Sequence, residues 1–135
     1  RRVLFRSEDK CSFRDTVEMM CASTEVVENK FTGNTTIGVV ITNGDFGKAS
    51  LCKIAGMAQD GYARAIRPVH TSADGDSIYA VSAGNVSEKV KADQDLVGTL
   101  AAEVMSEAII RAVTSAESAY GFPAYRELKA KENKR

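Results

Sequence analysis

One run of eight residues, 35–42 (TTIGVVIT), limits what this chain can fold into more than any other segment. Every residue in it except Gly38 is β-branched. Branching at Cβ restricts a side chain in a helix and suits a pleated strand. The run predicts a strand buried on at least one face, and its near-continuous β-branched character extends that expectation to both. Asn43-Gly44-Asp45 then supplies the residues of a turn.

The rest of the chain is read around that strand. Leu51, Ile54, Ala55, Ala58, Tyr62, Ala65 and Ile66 recur at three- and four-residue steps, which predicts an amphipathic helix over 48–66. Pro68 ends it. Residues 76–83 (DSIYAVSA) alternate as a second strand, with Ile78, Ala80 and Ser82 on one side and Tyr79 and Val81 on the other. A long helix is expected over 96–118, capped by Asp93 or Asp95, with a stripe of Val97, Leu100, Ala101, Val104, Ala108, Ile109 and Ala112. Gly121-Phe122-Pro123 breaks it, and 125–135 is a charged tail with helical tendency. Phe13, Val17, Met20 and Cys21 suggest a short helix, and Met19 and Met20 read as packing residues. A polar loop over 22–30 leads to Thr32-Gly33-Asn34. No internal repeat is present. Two strands alone leave open sheet edges, so an upstream portion of the protein is expected to supply more strands.

Composition removes several classes of function. Of 135 residues, eighteen basic side chains balance eighteen acidic ones. A neutral chain lacks the electrostatic footprint of a nucleic-acid or anionic-membrane binder, so neither partner is expected. No apolar run is long enough to span a bilayer. Cys11, Cys21 and Cys52 are odd in number and unpatterned, which suits a reducing cytoplasm rather than a disulfide framework. With His70 as the one histidine, no metal ligand spacing arises, and no metal or other cofactor is expected. His70 reads as a loop hydrogen-bonding residue, and Arg64 and Arg67 as part of a solvated helix face. Residues 1–7 (RRVLFRS) look like a translated sequencing-library adapter joined to a truncated reading frame, foreign to the fold.

Two motifs can carry chemistry. The first is Gly33-Asn34-Thr35 at the head of the first strand. A threonine hydroxyl is a weak nucleophile that needs a base nearby. A cut between Asn34 and Thr35 would provide one in the new α-amino group, whose ordinary pKa of about 7.7–8.0 leaves a useful neutral fraction. The second is Asp74-Gly75-Asp76 before the second strand. Carboxylates two positions apart share a side of extended backbone and can hold a proton between them. Each motif has a plain alternative: Gly-Asn turns often precede strands, and Asp-Gly-Asp is a common surface turn.

Several segments, in order, resemble the L-aminopeptidase/D-esterase (DmpA-like) family, and within it the nylon-oligomer (6-aminohexanoate-oligomer) hydrolases. They are NTTIGVVITN at 34–43, MAQDGYARAIRPVHT at 57–71, DGDSIYAVS at 74–82 and GFPAYREL at 121–128. The resemblance implies an α+β fold, a four-layer αββα sandwich, to which this chain gives two core strands and two main helices as a partial domain. It implies that 8–34 is the end of an α-subunit region with its linker, and that 35–135 is a β-subunit beginning at the nucleophile. Self-cleavage at Asn34–Thr35 would free Thr35 to attack amides through an acyl-enzyme, with Asp74 and Asp76 placed around it. Substrates would be small peptides, amides or amide oligomers. The α-subunit region of the same precursor would be one partner, and a homo-oligomer, a tetramer in relatives, is expected. The family also draws a lysine, a tyrosine and an oxyanion-hole asparagine from the α-portion, and 8–33 offers no place for them. Losing even one such donor costs about a hundred- to a thousandfold in rate, so the isolated chain is expected to be inactive. Two other readings stand beside this one: acyl transfer of the ornithine-acetyltransferase type, and a non-catalytic scaffold in which both motifs are turns.

Overall fold

A computed structural model describes residues 15–22 and 35–132. In chain order the elements are α1 (Thr16–Ala22), β1 (Ile37–Thr42), α2 (Lys48–Ala65), β2 (Ser77–Ser82), α3 (Gln94–Ser115) and α4 (Tyr125–Glu132), with a 3₁₀ turn at Val86–Glu88. β1 and β2 are parallel and adjacent, in a register that pairs Ile37 with Ser77 and Thr42 with Ser82. Parallel neighbours need a long crossover, and α2 provides it.

The helices begin and end where local chemistry allows. Asp93 caps α3, its carboxylate accepting from the Leu96 N–H at 2.8 Å. Asp15 does the same for α1, accepting from the N–H groups of Val17 and Glu18. The helix expected over 13–21 is α1 in part, and residues 13 and 14 lie outside the described residues. The tail does form a helix: Leu128 of α4 is buried, and the Arg126 Nε–H donates to the Thr114 carbonyl at 3.0 Å.

α2 buries the face its spacing predicts, with Ile54, Ala58, Gly61 and Tyr62 inside. Ile54, Ala58 and Ala101 gather Val40, Phe46, Ile78, Ala80 and Val97 around them. Tyr62, Ile66 and Met105 form the adjoining cluster, against Val40, Ile78 and Ile109. Each large apolar side chain fully buried in this way contributes about 1.5–3 kcal/mol.

Three expectations need correction. α3 buries Gly98, Ala101, Ala102 and Met105, while Leu100 and Val104 are half-exposed or more. Small residues decide this: Gly61 of α2 lies so close to the Ala102 carbonyl that a Cβ there would collide with it. A close helix crossing selects the small-residue side of α3, not its most apolar side. Next, among the described residues one face of the sheet is covered: burial on at least one face was expected and is found, while the expected burial of the second is not. Last, Met20 is exposed and not a packing residue.

Candidate active site

The backbone ladder runs past the formal start of β1. The Ser77 N–H donates to the Thr36 carbonyl at 2.9 Å, which brings residues 35 and 36 alongside the turn that leads into β2. That turn is Asp74-Gly75-Asp76. The hydroxyl of Thr35 rests against Gly75, where a Cβ would stand 2.7 Å from Oγ1. Only glycine permits this approach without moving the hydroxyl. Thr35 itself is exposed.

The two carboxylates hold different things. Asp74 Oδ2 accepts from the Thr71 N–H at 2.8 Å and from the Thr71 hydroxyl at 2.7 Å, and the Asp74 N–H donates to the Thr71 carbonyl at 2.9 Å. Asp74 thus closes its own turn. Asp76 reaches out of it: Oδ1 accepts from the Thr36 N–H at 2.9 Å, across 40 residues of sequence. Its Oδ2 accepts from the His70 N–H at 3.4 Å and lies 3.3 Å from His70 Nδ1. The Asp76 side chain is 2% exposed, so these donors are what a buried carboxylate needs. The spacing predicts two carboxylates on one side, and the two accept from different N–H and O–H donors.

Behind this turn stands Tyr62, fully buried. Its hydroxyl donates to the Ser77 carbonyl at 3.2 Å, and its ring stacks on His70 with centroids 6.0 Å apart and planes 25° apart. Burial pushes its phenol above the usual range, and the negative charge of Asp76 pushes it further. Tyr62 is therefore a neutral donor at physiological pH. His70 takes a left-handed backbone conformation, φ 57°.

The structure thus brings Thr35, Asp74 and Asp76 to one end of the sheet. Asn34, on the other side of the expected cut, lies outside the described residues. Arg64 and Arg67 are exposed, as a solvated face requires. The sequence pattern places Tyr62 on the apolar face of α2 and gives Gly75 no role beyond the Asp-Gly-Asp turn. The Thr71-x-x-Asp74 spacing, a familiar turn pattern, was the legible signal for the turn; nothing local signalled His70 reaching Asp76.

Next to Thr36, along the outer edge of β1, is an apolar cavity of about 470 Å³ lined by Gly38, Tyr62, Ile66, Met105 and Ile109 among others. Among the described residues no cluster of His, Cys, Asp and Glu could hold a metal ion, and no helix is long and apolar enough to cross a membrane.

Comparison with known proteins places this arrangement. The chain is 40% identical over 103 residues to an uncharacterized aminopeptidase of Mycobacterium leprae, an overlap of 68% of this chain and 28% of that protein. It is 35% identical over 106 residues to an uncharacterized aminopeptidase of Mycobacterium tuberculosis, 70% of this chain and 31% of the relative. It is 30% identical over 89 residues to the 6-aminohexanoate-oligomer endohydrolase of Paenarthrobacter ureafaciens, 59% of this chain and 25% of that enzyme. The chain thus spans between 25% and 31% of the length of these relatives. No solved structure matches it. Residues 8–126, nearly the whole chain and both motifs with it, match peptidase family S58, and the chain belongs to that family.

Proposed function

We propose that the protein containing this chain is a self-cleaving amide hydrolase whose nucleophile is Thr35. The observation that carries the reading is the seat of the Thr35 hydroxyl against Gly75, the residue flanked in sequence by Asp74 and Asp76, with Asp76 bonded to the next amide. Relatives named as aminopeptidases and as an amide-oligomer endohydrolase support the same class of substrate.

The chemistry proceeds in two stages. In the first, Thr35 Oγ1 attacks the Asn34 carbonyl carbon. The C–N bond to Thr35 breaks, the hydroxyl proton passes to the Thr35 nitrogen, and an ester joins Asn34 to Oγ1. Water hydrolyses the ester, leaving the Asn34 carboxylate and a free Thr35 with both its amine and its hydroxyl. In the second stage the amine accepts the hydroxyl proton as Oγ1 attacks a substrate amide, and the leaving amine takes that proton. Water then releases the acyl group. Asp76 fixes the Thr35–Thr36 peptide, and Asp74 fixes the turn on which the hydroxyl rests.

The rest of the polypeptide is assigned two tasks. It supplies the oxyanion donor and the lysine and tyrosine that residues 8–33 do not offer. It also covers the open face of the sheet, completing a four-layer sandwich. Substrates on this reading are short peptides or amides cleaved after their N-terminal residue.

Mass spectrometry of the purified full-length protein tests it. Two pieces are expected, the smaller starting at Thr35. Thr35→Ala is expected to stay as one chain and to hydrolyse no amide substrate. A parent protein that stays uncut after long incubation, or a Thr35→Ala protein that still cuts itself, overturns the assignment.

A further inference from the structure

We propose that His70 is a positioning residue for Thr35, acting through Asp76. This rests on the reading of Thr35 as nucleophile. The observation behind it is a continuous set of contacts from the core to the nucleophile. Tyr62 is fixed by its bond to the Ser77 carbonyl. The His70 ring lies stacked on Tyr62, which sets its plane. That plane brings Nδ1 to 3.3 Å from Asp76 Oδ2, while Asp76 Oδ1 holds the Thr36 N–H. The Thr36 N–H belongs to the peptide whose carbonyl is that of Thr35. Holding this peptide fixes the backbone from which both the amine and the hydroxyl of Thr35 project.

The ring is the adjustable member of the set. Of the donors on Asp76, the Thr36 and His70 N–H groups are backbone, and the imidazole is the side chain. It is 39% exposed where the carboxylate is 2% exposed, so it caps the carboxylate against water. A buried carboxylate that loses such a donor turns toward another or draws water in.

The backbone at this position argues in the same direction. A φ of 57° disfavours most side chains and suits glycine or asparagine. Histidine, with asparagine and aspartate, enters this region more often than other side chains do. Histidine accepts the strained conformation, and what the position gains from it is the ring.

The test separates the ring from the turn, in the full-length protein. His70→Gly relaxes the backbone, leaves the N–H bond to Asp76 in place and deletes the ring. His70→Asn also suits the left-handed conformation but returns a side-chain N–H donor near the place of Nδ1. For hydrolysis of a dipeptide amide, His70→Gly is expected to lower kcat about tenfold to a hundredfold, the range small misplacements of reacting groups produce. KM is expected to stay within about twofold, as for a residue that acts on the nucleophile through Asp76. Self-cleavage slows in parallel, and the thermal midpoint holds or rises. His70→Asn is expected to recover most of kcat. A His70→Gly protein with parental kcat, or one whose folding collapses, overturns the proposal, and so does His70→Asn running as slowly as His70→Gly. Thr35→Ala keeps the two ideas apart. If it still hydrolyses, the nucleophile reading fails and this inference with it. If it is inactive while His70→Gly is unimpaired, this inference alone fails.

Discussion

On the side of the sheet that faces α2 and α3, Val40, Ile78 and Ala80 pack into a core around Ile54 and Ala58, both with no exposed surface. On the opposite side Ile37, Val39, Ile41, Tyr79 and Val81 stand 45–72% exposed. The residues are of one kind and alternate along the same two strands. Burial on this sheet is decided by what lies across from each face, since the exposed side of the strands is at least as apolar as the packed one. Apolar patches of this breadth are rare on surfaces that stay in water. The candidate site straddles the two sides. Asp76 lies with Tyr62 and His70 toward the closed side; Thr35, two residues before β1, is exposed. The contacts that hold Asp76 are built into the packed side, and the proposed nucleophile stands at the exposed end of that arrangement.

The largest expected effect comes from pitting one isoleucine against another in the full-length protein. Ile54→Ala removes a fully buried side chain and is expected to cost about 2–5 kcal/mol in denaturant unfolding. Ile41→Ala, made on the open face, divides the possibilities. If the rest of the polypeptide covers that face, it costs a comparable amount. If the face stays in water, the change lies within about 0.5 kcal/mol, and the contrast between the faces becomes a property of the whole protein.

Activity offers the next test. Gly75→Ala places a methyl 2.7 Å from Thr35 Oγ1 and forces the hydroxyl to turn. About a hundredfold loss of kcat is expected, with little change in stability, since Gly75 is exposed. Unchanged kcat would show that the hydroxyl works from some other rotamer and that the seat against Gly75 is incidental.

How much of this was legible in the sequence follows from the range of the forces. β1 and α2 were, because a β-branched run and a 3.6-residue stripe are local signals. The buried side of α3 was not. Gly98, Ala101 and Ala102 carry little hydrophobic weight, and their packing depends on the backbone of α2 coming close at Gly61. Thr35 and the Asp74–Asp76 pair could be singled out by residue type and by family resemblance. What each carboxylate bonds could not, since Asp76 reaches a donor 40 residues away. The role of Gly75 was hidden for a related reason: a turn glycine and a glycine that seats a hydroxyl are the same letter.

The smallest effect concerns the hydroxyl of Tyr62, the residue that joins core to site. Tyr62→Phe keeps the ring that fills the core and supports His70, and removes the bond to the Ser77 carbonyl. That is expected to cost about 0.5–1.5 kcal/mol at neutral pH. The pH dependence carries more information. In the fold the phenol titrates above its ordinary value of 10.0, through burial first and the charge of Asp76 second. Below that ordinary value both folded and unfolded chains keep the proton, and no pH effect arises. Above it the unfolded chain ionises first, so stability falls as pH rises toward the folded value. Tyr62→Phe lacks this contribution, so its urea midpoint should decline less than the parent's between neutral pH and the region above pH 10. Parallel decline in the two proteins would mean that Tyr62 meets Asp76 and the core less closely than its contacts describe. A flatter profile would show that the fold holds the phenol in its protonated form, through burial first and the charge of Asp76 second.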